Sequence, residues 1–435
     1  MATVVRQISN YSDVILDRFG DSLGRGVLNS FLRATMEGPR QRDAARVADS
    51  VLTNIDFAEG AALRQLVSWR EQSAQISYRQ QRDHTAHTLN NYLLGRYIFD
   101  ETVIGDEIRA YLAVQGQQEP FDGFGSAWPY CSLLHDVGYL FEGSTEPLST
   151  ADDSVHVEAA LVTFQRFMHP ASLLARFGLR SSDARGWASG ILGEAVATEA
   201  DVFQRTVKYL RVAHTATGSR DAFDLWRAWY TEKKPSMVPW VDALQDLFES
   251  HALVGHPRLF KRFLNHAVCS GMMLLKALGA FYALGRAQEK HIGELSKHNA
   301  SLAAEITRAF TPPSGVTYSY DVWSNAILSG TAASALHDLM PEIARLTCVK
   351  LKLSDDPLAF LGLLVDELQH WDRFMVHELF RPDSLQSSEV GLGTENKRVI
   401  LGLPAAHIAP ISTTLSRSLD GWQDLVELRP WVPNA

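Results

Sequence analysis

Long stretches of this chain place apolar residues at helical spacing and contain almost no helix-breaking residue. Between Ala61 and Asp100 there is no proline, and Gly95 is the only glycine. Residues in this stretch recur on one helical face, namely Leu63, Leu66 and Trp69, then His87, Leu94 and Ile98. The same periodicity returns in Val157 to Phe177, Asp221 to Tyr230, Pro239 to His251, Arg258 to Arg286, Tyr320 to Cys348, and Pro357 to Phe380. The sequence therefore predicts an all-α body.

The C-terminal part has a different pattern. Lys397 to Leu403 and Ile408 to Thr413 are short apolar runs that predict strands, and the last residues are rich in proline. We therefore expect a small mixed C-terminal appendage over residues 383–435. Residues 1–60 form an N-terminal helical segment in this prediction, and residues 61–382 form the main helical domain.

Composition and charge limit the classes of protein that fit. The apolar fraction is 46% and the charged fraction 21%, which are typical of a soluble globular protein. The net charge of −9 argues against a general nucleic-acid binder, which usually carries a concentrated basic face. The three cysteines are far apart and odd in number, as in a reduced intracellular chain. We therefore expect a cytoplasmic protein.

The most apolar stretch runs from Ala267 to Gly285. Lys276 lies in its middle and His266 borders it. A lysine at the centre of a lipid-exposed helix is costly, so this stretch predicts a buried helix and no membrane contact.

His135 and Asp136 form a pair in the segment SLLHDVGYLFEG. An imidazole beside a carboxylate offers nitrogen and oxygen ligands that suit a first-row divalent metal. The pair alone has little meaning, because a second His-Asp pair occurs at His337 and Asp338.

Other candidate ligands surround the pair in sequence. His84 and His87 are three residues apart and hence neighbours on a helix, and His266 and His337 follow on later apolar segments. A single histidine in such a place is more often a hydrogen-bonded core residue than a ligand. Asp366 follows the apolar run AFLGLLV, where a carboxylate needs a partner or an ion.

Three blocks that contain His84, His87, His135, Asp136 and Asp366 resemble the HD-domain superfamily of metal-dependent phosphohydrolases. They are RDHTAHTLNNYLLG, AWPYCSLLHDVGYLFE and DPLAFLGLLVDELQHWDR. The resemblance covers roughly Leu63 to Phe380. It implies an HD-domain helical bundle with inserted helices, at about residues 143–255 and 287–318.

The resemblance also implies a role for each residue. His87 matches the first metal-binding histidine, His135 and Asp136 match the signature pair, and Asp366 matches the closing aspartate. His266 and His337 match the positions that hold a second ion, with Asp136 between the two ions. The implied cofactor is one or two divalent ions, with Mn, Fe, Ni, Mg and Zn all open.

The expected reaction is hydrolysis of a phosphodiester or phosphomonoester by a metal-activated water. Asp136 would orient this water, His84 would protonate the leaving oxygen, and Arg82 would contact the phosphate, as would Arg373. The expected partner is a small phosphorylated substrate, a nucleotide before others, and an oligomer is compatible with the sequence.

Two other functions remain open at this point. Some proteins of the HD fold are mixed-valence di-iron oxygenases with similar ligands, and sequence does not separate them from hydrolases. The second alternative is a non-catalytic helical sensor or scaffold with a relic metal site.

Overall fold

The structure, a computed structural model, describes most of the chain. The described residues are 8–35, 37–55, 57, 59–75, 84–113, 123–141, 150–169, 202–215, 218–254, 264–301, 303–304, 323–338, 349–369, 371 and 385–431. Most of them are helical, and the few strands form small sheets. The predicted all-α body with a small mixed sheet is therefore confirmed.

The chain divides into two compact units. The first contains Met1–Val137 and Ala332–Ala435, and the second contains Gly138–Thr331. The segment boundaries predicted near residues 60 and 382 both fall inside the first unit and stay a prediction.

The first unit is mainly helical. Its helices are α1 (Tyr11–Leu23), α2 (Arg25–Arg33), α3 (Glu37–Asn54), α4 (Glu59–Gln75), α5 (His84–Glu101), α6 (Val103–Leu112), α7 (Phe124–Ser132), the end of α13 (Ser329–Leu336), α14 (Pro357–Leu368) and α15 (Ala405–Ser418). Short 3₁₀ turns lie at Ser387–Glu389 and Trp422–Asp424.

A mixed sheet joins the two ends of the chain in this unit. Its strands lie in the order β1 (Ser9–Asn10), β5 (Gly391–Glu395), β6 (Arg398–Leu403) and β8 (Val426–Pro430). A separate parallel pair joins β4 (Leu351–Lys352) to β7 (Leu419–Asp420). The hairpin between β5 and β6 turns at Asn396 and Lys397, which both have positive φ, as a tight two-residue turn requires.

One predicted strand of the appendage is right and the other is wrong. The strand predicted at Lys397 to Leu403 is confirmed as β6. Ile408 to Thr413 is instead part of helix α15. Ile411 and Leu415 are buried, and their spacing of four residues places them on one face of a helix.

The second unit contains α8 (Thr150–Phe167), α9 (Val202–Arg211), α10 (Ala222–Lys233), α11 (Val238–Val254), α12 (His266–His298) and the start of α13. A two-stranded hairpin joins β2 (Val212–Thr215) to β3 (Gly218–Asp221). A 3₁₀ turn lies at Pro235–Met237, another at Val137–Leu140 spans the unit boundary, and a π-helical turn at Trp323–Leu328 leads into α13.

Helix α12 contains the apolar stretch noted in the sequence. Among the described helices, its window His266–Ala283 is long and apolar enough to cross a membrane, but 94% of the window is buried inside the protein. The ammonium of Lys276 donates to the carbonyl oxygen of Val212 at 3.0 Å and lies 4.3 Å from the centroid of the Tyr209 ring. The burial supports the predicted buried helix.

Helices α5 and α7 approach each other closely because α5 has a glycine at the contact. A Cβ atom on Gly95 would lie 1.9 Å from Cζ2 of Trp128. The Trp128 indole is buried, and its Nε1 donates to the carbonyl oxygen of Tyr92 at 3.0 Å. The ring is therefore fixed against α5 and leaves no room for a side chain at residue 95.

We expect Gly95→Ala to lower the free energy of unfolding. Forcing a methyl group into the packed contact costs about 1–3 kcal/mol, which exceeds the roughly 0.5–1 kcal/mol that alanine gains over glycine in a helix. Urea unfolding measures the change. Gly125→Ala in α7 is the matched control, because a Cβ there meets open space; a stability loss as large in the control would contradict the packing argument.

Candidate metal centre

Five of the predicted ligands meet in the first unit. His87 lies on α5, His135 and Asp136 lie just after α7, His337 lies just after α13, and Asp366 lies in the last turn of α14. Four of them are at most 6% exposed, and Asp366 is partly exposed. Their atoms form two groups that could each hold a metal ion, and His135 belongs to both.

The first group contains His87, His135 and Asp366. Oδ1 of Asp366 lies 2.8 Å from Nε2 of His87 and 3.7 Å from Nε2 of His135. Asp366 is held there by α14, which begins with the buried N-cap Asp356 and with Pro357 in its first turn.

The second group contains His135, Asp136 and His337. The two oxygens of Asp136 face different histidines: Oδ2 lies 3.2 Å from Nε2 of His135, and Oδ1 lies 3.6 Å from Nε2 of His337. His84 is also close, with its Nε2 3.9 Å from Oδ2 of Asp136.

Each of the three histidines is anchored through its other ring nitrogen. Nδ1 of His135 donates to the carbonyl oxygen of Ser132, and Nδ1 of His337 donates to that of Ser334, both at 2.6 Å. Nδ1 of His87 donates to Oε1 of Gln369, whose own amide nitrogen donates to the carbonyl oxygen of Trp371. These acceptors fix the proton on Nδ1 in the neutral ring, so the lone pair of every Nε2 faces the carboxylates.

The distances between these atoms fit ligands placed around a common ion. Nitrogen and oxygen ligands lie about 2.0–2.2 Å from a first-row ion, so adjacent ligands are about 3–3.5 Å apart. Nε2 of His135 is buried and, among the residues that the structure describes, has no partner in hydrogen-bonding geometry, although two carboxylates are near. The donor set and this nitrogen fit a divalent metal ion.

The two His-Asp pairs have related local structures. Both follow a serine by three residues, in the sequences SLLHD and SALHD, and both histidines lie just past a helix. The carbonyl groups at a helix C-terminus carry partial negative charge and favour a nearby cation. The pairs differ at the aspartate, because Asp136 is buried in the cluster and Asp338 is exposed. His337 therefore belongs to the site without its neighbour.

The charges of the cluster depend on one another. Burial would lower the pKa of His135, but the negative charges of Asp136 and Asp366 outweigh burial and raise it to about 10. Burial would raise the pKa values of both carboxyls, but the neighbouring histidines hold them well below 3.8. Without metal, His135 is thus an imidazolium between two carboxylates, and a bound cation replaces its proton.

We expect the metal-free protein to lose stability as the pH rises from 6.5 towards 10. The pKa of His135 is raised from 6.5 to about 10 in the folded state, so its contribution is complete below 6.5 and is lost as the proton leaves. Thermal unfolding of chelator-treated protein across this range measures the loss, which should be smaller in His135→Gln. His298→Gln is the control at an exposed histidine; equal pH dependence in all three proteins would refute the assignment.

Close packing of α14 against α7 brings His135 and Asp366 together. A Cβ on Gly362 would lie 2.7 Å from Sγ of Cys131. His135 follows Cys131 by four positions, and Asp366 follows Gly362 by four positions. Any outward shift of α14 at this contact therefore also moves Asp366 from His135.

We expect Gly362→Ala to weaken metal binding by about tenfold or more, the usual scale when the support of a ligand is altered. Cys131→Ala removes the sulfur atom that the new methyl group meets, so the double variant should recover much of the affinity. Calorimetric titration with Mn²⁺ measures all three proteins, with Cys131→Ala alone as the control. Unchanged affinity in Gly362→Ala would show that this contact does not set the position of Asp366.

Three predicted site residues, Arg82, Arg373 and His266, are not found in this cluster of described residues. Arg82 and Arg373 lie outside the described residues. His266 begins α12 in the second unit, where its ring stacks on Tyr139 with the centroids 3.9 Å apart, so its role as a ligand stays a prediction.

Sequence reasoning missed two residues of the site. Gln369 supports His87, and Asn91 contacts both His87 and Asp366. Asn91 follows His87 by four residues and Gln369 follows Asp366 by three, so helical spacing from the predicted ligands was the signal that could have found them.

No family model, curated protein or solved structure matches this chain. The resemblance to the HD-domain superfamily therefore rests on the residues of this sequence and remains a prediction.

Proposed function

We propose that this chain is a metal-dependent phosphohydrolase that acts on a small phosphorylated substrate, in the first place a nucleotide. The observation that carries the proposal is the meeting of His87, His135, Asp136, His337 and Asp366 in one buried cluster. Four of them, His87, His135, Asp136 and Asp366, lie in the HD-like sequence blocks, and His337 is the further histidine that the resemblance implies.

The cluster supports two ion positions with Asp136 between them. Nε2 of His135 has one lone pair and can bind only one ion, although His135 belongs to both groups of candidate ligands. The two oxygens of Asp136 face His135 and His337 separately, which suits a bridging carboxylate. One position is then formed by His87, His135, Asp136 and Asp366. The other would be held by Asp136 and His337.

Charge balance favours a phosphate substrate. With neutral histidines, the carboxylates of Asp136 and Asp366 give the cluster a charge of about −2. Two divalent ions reverse its sign and leave a local excess that attracts a phosphate group, despite the net charge of −9 on the whole chain. When bound, such ions lower the pKa of a water molecule and neutralise phosphate oxygens.

The chain's own residues have defined tasks in this reaction. Asp136 orients the attacking water through a carboxylate oxygen. His84 is buried near Asp136 and donates a proton to the leaving oxygen. Gln369 and the carbonyl groups of Ser132 and Ser334 hold the three anchored histidines in one tautomer.

We expect purified protein to release phosphate or a nucleoside from members of a nucleotide panel when Mn²⁺, Fe²⁺, Ni²⁺, Mg²⁺ or Zn²⁺ is supplied. Asp136→Asn should abolish this activity, and His84→Gln should lower kcat by about 10²–10⁴-fold, the usual contribution of a general acid. Asp338→Asn is the matched control, because it changes the exposed aspartate of the second His-Asp pair and should leave turnover unchanged.

The same assay separates the alternatives. Turnover that requires oxygen and iron, with no phosphate release, would favour a di-iron oxygenase. Metal binding without turnover of any nucleotide or generic phosphodiester would favour a sensor or scaffold. Activity that survives Asp136→Asn would refute the assigned site.

A further inference from the structure

Asn91 lies on α5, one helical turn after His87, and points into the cluster. It is 3% exposed. Its Nδ2 lies 3.1 Å from Oδ1 of Asp366 and 3.2 Å from Nε2 of His87. Its Oδ1 is buried and has no hydrogen-bond partner within the described ranges of the chain. A buried carbonyl oxygen without a partner is costly and uncommon in a folded protein.

The hydrogen bonds of the metal-free cluster conflict at this residue. Nδ1 of His87 is the donor to Gln369, so Nε2 of the neutral ring has a lone pair and no hydrogen. That lone pair lies 2.8 Å from a carboxylate oxygen of Asp366, a repulsive contact unless a positive charge lies between the two atoms. If a proton bound to Nε2 supplies this positive charge, Nε2 has no lone pair left to accept a hydrogen bond from Asn91.

A metal ion bound to His87 and Asp366 removes this conflict. The lone pair of His87 and the oxygen of Asp366 then both bind the ion, and the amide hydrogens of Asn91 would face a cation. Rotating the amide by a half turn exchanges Oδ1 and Nδ2, which occupy almost the same space and differ little in shape. The oxygen then lies about 3.1–3.2 Å from both other ligand atoms, which is the spacing of adjacent ligands.

We propose that Asn91 binds the ion held by His87, His135 and Asp366 through its Oδ1, and that this oxygen favours Mn²⁺ or Fe²⁺ over Zn²⁺. The inference rests on the proposed metal centre. A neutral amide oxygen adds a hard ligand and raises the coordination number. Ions that prefer more ligands and more oxygen gain from it, whereas Zn²⁺ is usually satisfied by four ligands.

The test compares Asn91→Leu and Asn91→Asp with the wild-type protein. Metal-free protein is titrated with Mn²⁺ and with Zn²⁺, and bound Co²⁺ reports the coordination number through its visible absorption. Asn91→Leu, which has a similar shape and no oxygen, should lose at least about tenfold in Mn²⁺ affinity. It should lose much less for Zn²⁺, and its Co²⁺ absorption should intensify. Asn91→Asp keeps an oxygen and should keep the wild-type preference.

An orienting role for Asn91 predicts a different result. If the amide only donates to Asp366, Asn91→Leu should weaken Mn²⁺ and Zn²⁺ equally and leave the Co²⁺ spectrum unchanged, which would overturn the assignment. Loss of the Mn²⁺ preference in Asn91→Asp would count against it as well. Asn90→Leu is the matched control, because Asn90 is the next residue and its Oδ1 accepts from the hydroxyl of Tyr11.

The outcomes for the two proposals are distinct. A wild-type protein that binds none of these ions would remove the metal centre and Asn91 with it. Metal binding with an unchanged ion preference in Asn91→Leu would remove only the role of Asn91. If the ion preference depends on Asn91 but the protein has no hydrolase activity, Asn91 remains a metal ligand and the proposed phosphohydrolase function is wrong.

Discussion

The absence of a side chain at Gly362 is the constraint on which the site depends. Gly362 lets α14 touch the sulfur of Cys131 on α7, and the same approach carries Asp366 to His135 one turn further along. Gly95 does the same for α5 against Trp128. Helices α5 and α14, which carry His87 and Asp366, therefore both contact α7 at positions where a methyl group does not fit. His135 lies just after α7. Packing at these two contacts therefore helps to set the distances between the ligand atoms.

Backbone carbonyl groups also help to position the histidines of the cluster. The carbonyl groups of Ser132 and Ser334 lie at helix ends, where they have no helical partner, and they accept from His135 and His337 instead. One hydrogen bond thus satisfies an orphan carbonyl and fixes a histidine tautomer. His87 lies within helix α5, where backbone carbonyl groups accept helical hydrogen bonds, and a side chain, Gln369, takes that role. All three histidines donate through Nδ1 to an oxygen atom. Whether that oxygen belongs to the backbone or to a side chain depends on where the histidine lies relative to its helix.

Much of the fold class, and the residues that meet in the candidate metal cluster, could be predicted from periodicity and residue type. The apolar run before Asp366 correctly indicated a buried helix, because every residue from Pro357 to Val365 is buried. The pairing of β1 with β5 was not predictable, since two residues of strand carry no periodic signal. Ile408 to Thr413 was mistaken for a strand because six residues show alternation and helical spacing equally well. Asn91 was missed because an amide is not a usual metal ligand by type, and only the geometry around His87 gives it a role.

The two proposed ion positions would differ in their exposure, and this difference bears on how a substrate would reach them. The side chains of Asp136 and His337, which would hold the second ion, are at most 8% exposed, whereas 27% of the Asp366 side chain, which would hold the first ion, is exposed. In the proposed enzyme, an ion near Asp366 would therefore exchange more readily and would offer its open side to a phosphate oxygen. The more buried position would suit a tightly bound ion. If Asn91 adds its buried oxygen to this first position, the ion that would meet the substrate is also the one whose identity the protein would select.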